Sequence, residues 1–358
     1  MDTVGHRKHS RYACSVGDGP LSARKLSDYD EGDAKIRPSR RGSRPRSKDR
    51  PTHESAIDAM VIAVDRGRYT CLFDGGTATS RQVHAMRARE LGRKSVVVGD
   101  IVGVVGDTSG AAGSLARIVR INKRDSVLRR SADDTDPAER VIVANATHLV
   151  IVCAVANPEP RTGFVDRALV AAYAGNLSPV LCLTKIDLAD PEPFAAPYRA
   201  LGVTVLTRHR DEPVDAIADY LTGKLSVLFG HSGVGKSTLV NALVPEQHRQ
   251  TGDVADLTGK GRHTSSSAVA LALPDGGFVI DTPGVRSLGL AHVEPDQVVA
   301  AFPDLNEGAQ QCPSGCTHLA DAGECHLDTW VREGHGNPVR LASLRRLLAS
   351  RLGQSTAT

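Results

Sequence analysis

No stretch of the sequence stays apolar long enough to cross a bilayer, and its opening residues, MDTVGHRKHSRY, lack the apolar core of a secretory signal. A soluble, cytosolic protein with no membrane partner is the expectation. Net charge is nearly absent as well: +3 over 358 residues, too little to diagnose nucleic-acid binding from the balance alone. Cysteine is scarce and mostly unclustered. Of seven, Cys14, Cys71, Cys153 and Cys182 stand singly, and only Cys312, Cys316 and Cys325 lie together. That distribution argues against a disulfide framework and suits a reducing compartment with one metal site. What is not scarce is core material. A 41% hydrophobic share supports globular folding over most of the chain, and at this length two or three domains are expected.

Along the chain the texture changes several times. Residues 1–55 are rich in Arg, Ser, Gly, Pro and Asp without a sustained apolar period, which predicts a disordered basic arm. Between Lys35 and Arg50 eight Lys or Arg face the single acid Asp49; this is either a solvated tail or an arm that neutralises nucleic-acid phosphates. Over 56–121 the short runs AMVIAV, YTCLF, SVVVGDIVGVV and LARIVRI alternate with turn residues, predicting a small β-barrel of OB or SH3-like type. Residues 122–140 read as a polar linker. From 141 to 291, near-continuous apolar runs such as VIVANATHLVIVCAV, SPVLCLT and KLSVLFG alternate with helix-like stretches. That pattern predicts a doubly wound parallel sheet whose ligands sit at the carboxyl ends of its strands. The remainder, 292–358, holds the cysteine cluster and a helix-like PVRLASLRRLLASRL.

Three motifs fall in the sheet region. Gly230-His231-Ser232-Gly233-Val234-Gly235-Lys236-Ser237, followed by Thr238, fits GxxxxGK[ST] between a strand-like and a helix-like run, the context a P-loop requires. Its glycines let backbone N–H groups wrap phosphates, Lys236 reaches the β/γ-phosphates, Ser237 ligates Mg²⁺, and the next helix adds its positive end. Downstream, Asp281-Thr282-Pro283-Gly284 closes an apolar run; the Asp can hold a water on Mg²⁺, and the Gly N–H can meet a γ-phosphate. Between them Thr264 is the candidate second Mg²⁺ ligand, with Ser265 and Ser266 close alternatives. Upstream of both stands Thr184-Lys185-Ile186-Asp187. Asp187 could accept the two N–H donors of a guanine edge while Lys185 lies along the ring. Thr184 takes the usual place of Asn, removing an amide able to brace the P-loop, so weaker nucleotide binding is the expectation.

The order guanine loop, P-loop, switch Thr, DTPG is that of a circularly permuted GTPase. With a small barrel before it and a Cys/His cluster after it, the chain resembles the ribosome small-subunit-dependent GTPase A (RsgA) family over roughly residues 56–345. The resemblance implies an OB-fold domain, a permuted P-loop GTPase domain and a small α-rich zinc domain. It also implies a monomer that acts in late maturation of the small ribosomal subunit, binds that subunit and its rRNA, and hydrolyses GTP to GDP under its stimulation. Lys236, Thr264, Asp281 and Gly284 are then the catalytic set. In Ras-like enzymes the Gln after DxxG orients the attacking water. Here that place is Val285, a hydrophobic residue as in the family, so intrinsic hydrolysis should be slow. A catalytic role for His231 is a less favoured reading.

Cys312, Cys316, His318 and Cys325 offer three thiolates and an imidazole within 14 residues, the Cys₃His set of one closed, structural zinc site. His326, beside Cys325, competes with His318 as the fourth ligand. Such an ion would hold a loop-rich segment that lacks a core of its own. The alternative to an enzyme is an RNA-binding assembly factor that uses GTP and GDP as a ligand switch with incidental turnover.

Overall fold

The computed structural model describes residues 53–351 apart from 66, 75–79, 93–94, 112, 131–139, 246–267, 283–284, 286 and 291. The basic arm therefore lies almost wholly outside the described residues, and Thr264 and Gly284 lie outside them too.

Strands β1 (Ile57–Asp65), β2 (Arg68–Phe73), β3 (Arg81–Arg87), β4 (Ile101–Gly106) and β5 (Ala116–Ile121) follow the order β1-β2-β3-β5-β4, and β4 pairs back onto β1. The barrel is closed, with only β3 and β5 parallel. Alternation drives it: in β3 only Val83 and Ala85 are buried, and they join Val61, Cys71, Val102, Val104 and Ile118 in a separate small core. The chain then leaves the barrel through β6 (Val127–Arg130), which pairs antiparallel with β7 (Arg140–Ala144). Four residues of what reads as a polar linker, 127–130, are therefore a strand, because Leu128 is buried among charged neighbours and anchors it.

The second region is built on β8 (His148–Ala154), β9 (Ser178–Thr184), β10 (Thr204–Arg208), β11 (Leu225–Phe229), β12 (Val269–Ala272) and β13 (Phe278–Asp281). Their order is β10-β9-β8-β11-β13-β12, parallel except for β12 against β13. Both faces are covered, as the continuous apolar runs require. Val150, Val152, Val180 and Leu228 face α3 (Asp215–Leu221) and α4 (Lys236–Leu243). Leu149, Ile151, Leu181 and Val227 share a larger core with α1 (Thr162–Ala174). Helix α2 (Glu192–Ala200) closes the edge through buried Ala195 and Tyr198.

The C-terminal helices α5 (Pro295–Ala300), α6 (Pro303–Ala309), α7 (Leu327–Arg332) and α8 (Pro338–Arg351) add Phe302, Leu305, Leu327, Leu344 and Leu348 to that same larger core. They have no separate apolar centre among the described residues. A buried ion pair marks the seam: Arg340 Nη1 of α8 donates to Asp166 Oδ1 of α1 at 2.7 Å, with 3% and 0% of the two side chains exposed. Arg340 Nε also donates to Asp304 of α6 at 3.3 Å, while Asp166 Oδ2 and Arg340 Nη2 are buried without a partner.

Burial, opposed by the Arg340 charge, pushes the Asp166 carboxyl from its ordinary 3.8 up to about 6. The folded chain thus holds a proton that the unfolded chain releases between about pH 4 and pH 6, and stability contributed by this group falls as pH rises through that window. Comparing urea unfolding of the wild type with Asp166→Asn should show the difference shifting against the wild type from pH 4 to pH 6. A difference flat with pH would refute the assignment.

Candidate nucleotide site and metal cluster

The parallel ladder brings the ends of β9, β11 and β13 to one side of the sheet. β11 pairs with β8 on one flank and β13 on the other, so the loop 230–235 that follows it emerges between them. That loop ends at Gly235, which adopts a left-handed φ of +93° directly before α4, a conformation that strains any side chain. Lys236 is thereby the first residue of the helix, with Ser237 and Thr238 exposed in its first turn. Lys236 Nζ forms an ion pair with Asp281 Oδ1 at the end of β13. Two groups that lie 45 residues apart in sequence are in direct contact. Thr282, next in the chain, is held by its hydroxyl donating to the Leu228 carbonyl of β11 at 3.0 Å.

TKID follows β9 two strands away. Lys185 has φ of +58°, and its ammonium donates to the Asn157 carbonyl in the loop after β8. Asp187 and Leu188 are exposed. A cavity of about 400 Å³ is lined by Lys185 and Asp187 on one side and by Gly235, Thr238 and Leu239 on the other. The TKID loop and the P-loop therefore share one cavity, of a size common for small-molecule sites.

Thr184 reverses an expectation drawn from the sequence. The lost Asn amide was expected to leave the P-loop unbraced, yet the Thr184 hydroxyl donates to the Val234 carbonyl inside the P-loop at 2.5 Å. Thr184 is 3% exposed, and the strand end comes close enough that a hydroxyl one bond from Cβ spans the gap. The brace is thus retained by a shorter side chain.

Two residues missed by the sequence reading line the same cavity, Arg208 and Arg210. Arg208 ends β10 beside Thr184 in the ladder, and its guanidinium donates to the carbonyls of Glu212, Pro213 and Arg210, tying the following loop. The signal was available: the end of a neighbouring parallel strand is where ligand loops gather. His231 packs its ring on Phe164 of α1, centroids 4.0 Å apart. Burial, then the Arg161 charge, holds its pKa below the usual imidazole value. Val285 packs against the larger core and lines a cavity of about 260 Å³ with Val64 and Val97 on the barrel side. The residue after DTPG is committed to packing.

In the C-terminal region the sulfur atoms of Cys312, Cys316 and Cys325 and a ring nitrogen of His318 all lie within 4.8 Å of one another. Ligand atoms around a tetrahedral zinc sit roughly 3.5–4 Å apart, and His318 Nδ1 is 3.9 Å from Cys325 Sγ, so the set fits a metal ion. His326 is not in the cluster. It precedes α7, turns its ring toward Trp330 and gives its backbone N–H to Cys312 Sγ at 3.3 Å. Arg345 of α8 supports the cluster from behind, donating to the His318 carbonyl at 3.3 Å while its two terminal nitrogens hold Asp328.

A family model described as RsgA GTPase matches residues 121–291. Over 270 residues the chain is 36% identical to the small ribosomal subunit biogenesis GTPase RsgA of Gemmatimonas aurantiaca, covering 74% of this chain and 87% of that relative. Among solved structures, YjeQ from Thermotoga maritima superposes with a TM-score of 0.61 at 25% identity, over 83% of this chain and 99% of that one. YloQ, described as a circularly permuted GTPase, shares the fold with a TM-score of 0.63 at 24% identity, over 87% of this chain and all of that one.

Removing the Thr184 brace leaves the Val234 carbonyl buried and unpaired. Thr184→Val should therefore weaken binding of a fluorescent guanine nucleotide by roughly tenfold, whereas Thr184→Ser should stay near the wild type. Equal affinity of all three would show that the hydroxyl braces nothing.

Proposed function

The chain belongs to the RsgA GTPase family, and from that premise we propose that it hydrolyses GTP in the maturation of the small ribosomal subunit, as its relatives are named for doing. The observation that carries the reading is the convergence of TKID, the P-loop and Asp281 at the carboxyl ends of one parallel sheet, with Lys236 touching Asp281 and Thr184 touching Val234. The alternative, an RNA-binding factor with incidental turnover, has no comparable support.

In this reading Asp187 accepts the two guanine N–H donors and Lys185 lies along the ring, which selects guanine over adenine because adenine presents a different donor pattern. Residues Gly230 to Gly235 turn backbone N–H groups toward the phosphates, and Lys236 neutralises the β/γ-oxygens. Ser237 and Thr264 would hold a Mg²⁺ ion, whose charge offsets that of the phosphates. Asp281 would help hold that ion, and the Gly284 N–H would donate to the γ-phosphate. Water attacks the γ-phosphorus as the bond to the bridging oxygen of GDP breaks, giving GDP and phosphate. Val285 offers the attacking water no hydrogen bond, so the chain by itself turns over slowly and the small subunit supplies the missing orientation. The compartment that suits this role is the cytoplasm, with the protein acting as a monomer on the subunit and its rRNA.

For the Cys/His cluster we read one structural zinc per chain, with His318 as the nitrogen ligand. With these four protein donors the ion would have no open position for a substrate. The chemistry of the donors supports zinc: three thiolate sulfurs and an imidazole nitrogen are the ligand set that Zn²⁺ takes.

Phosphate release from GTP, measured with and without purified small subunits, tests the function. At least a tenfold stimulation is expected, about 1.4 kcal/mol of barrier, and none would sink the ribosome-activated reading. Metal analysis tests the cluster: Cys312→Ser/Cys316→Ser should lose about one zinc per chain, whereas His326→Ala should keep it. Loss of zinc from His326→Ala would overturn the ligand assignment.

A further inference from the structure

Helix α1 carries Asp166 and Arg167 side by side, and their side chains grip different parts of the molecule. Asp166 takes the Arg340 guanidinium of α8. Arg167 donates from both Nε and Nη2 to a single backbone carbonyl, that of Leu288, at 3.1 and 2.8 Å. Leu288 is fully buried and stands just past DTPG. The next residue is pinned as well: the Gly289 N–H donates to the Arg129 carbonyl of β6 at 3.0 Å. At its other end the same segment is tied to β11 through Thr282. Thr282 is thus tied to the P-loop strand, and Leu288 and Gly289 to α1 and β6.

The amino end of α1 reaches the P-loop. Phe164 stacks on Phe229, the last residue of β11, with centroids 5.0 Å apart at 21°, and packs on His231 within the P-loop. One helix thus touches the phosphate loop, the exit of the DTPG segment and, through Asp166 and Arg340, the C-terminal helix. On that helix Arg345 holds the His318 carbonyl beside the metal cluster.

We propose that Arg167 is a positioning residue for the GTP-dependent step, holding the exit of the DTPG segment on α1 through the Leu288 carbonyl. The inference rests on the GTPase reading above. Arg167 does not line the cavity between TKID and the P-loop; it acts through the Leu288 carbonyl. Truncating it leaves that carbonyl buried without its charged donor, which favours a shifted seat for the segment. In the GTPase reading the γ-phosphate meets the DTPG loop, so GTP would register the shift and GDP, having no γ-phosphate, would not. Because Asp166 is the adjacent residue, a displacement of α8 reaches the same segment through one rigid helix, which gives a docked C-terminal region a physical route to the hydrolysis site.

The test uses the full chain with Arg167→Met, which keeps the apolar stem, and Arg167→Lys, which keeps one donor. Affinities for GDP and for a non-hydrolysable GTP analogue are measured alongside hydrolysis with small subunits. The Met variant should bind GDP within about twofold of the wild type, yet lose about tenfold in preference for the analogue over GDP and a similar factor in stimulated kcat. The Lys variant should recover part of both. A preference unchanged in the Met variant, or equal losses for both nucleotides accompanied by a lowered Tm, would overturn the proposal and leave Arg167 a packing residue. A wild type that neither prefers the analogue nor hydrolyses GTP would instead overturn the parent reading.

Discussion

The structure depends first on the hydrogen-bonded ladder that seats β11 between β8 and β13. In a parallel sheet all carboxyl ends point one way, so any loop that follows these strands opens on the same side. The P-loop emerges from the central strand, DTPG from one neighbour, and TKID from the strand beyond the other. No long-range steering is needed to bring Lys236 onto Asp281; adjacency of β11 and β13 does it. Circular permutation changes which connection is cut, and it leaves the order of strands in the sheet, and so the site, intact.

What the permutation does change is the route onward from the site. β13 and the DTPG motif lead directly into the C-terminal helices, which among the described residues have no separate core and pack on the face that α1 occupies. The buried Asp166–Arg340 pair at that seam is incompletely satisfied. A pair of this kind contributes little to stability compared with apolar packing of the same volume, and removing one partner would leave the other charge buried and uncompensated. Its place beside Arg167 links orientation of the C-terminal region to the segment that follows DTPG.

Much of the chemistry was legible because it is local. Nine consecutive residues make the P-loop, four make TKID, and three cysteines with a histidine fall within 14 positions; each motif carries its own geometry wherever the chain places it. The barrel was legible from alternation, though its OB or SH3-like identity was not, because that depends on β3 and β5 pairing in parallel across an intervening strand. Strand β6 was hidden because a single buried Leu128 among charged residues gives no periodic signal. The two histidines were likewise indistinguishable in sequence, where both stand near Cys325; the fold groups His318 with the three sulfurs and turns the His326 ring toward Trp330.

By itself the sequence determined the inventory of this protein: phosphate loop, guanine-type loop, DTPG, a Cys₃His set, and the permuted order that relates them. Tertiary structure alone decided how these parts bear on one another. That the Thr184 hydroxyl bonds Val234, that Arg208 and Arg210 wall the cavity shared by TKID and the P-loop, and that Arg167 clamps Leu288 all depend on distances between strands and helices far apart in the chain. Residue type states what a group can donate or accept. Whether a partner stands within three ångströms is set by packing, and no local pattern encodes it.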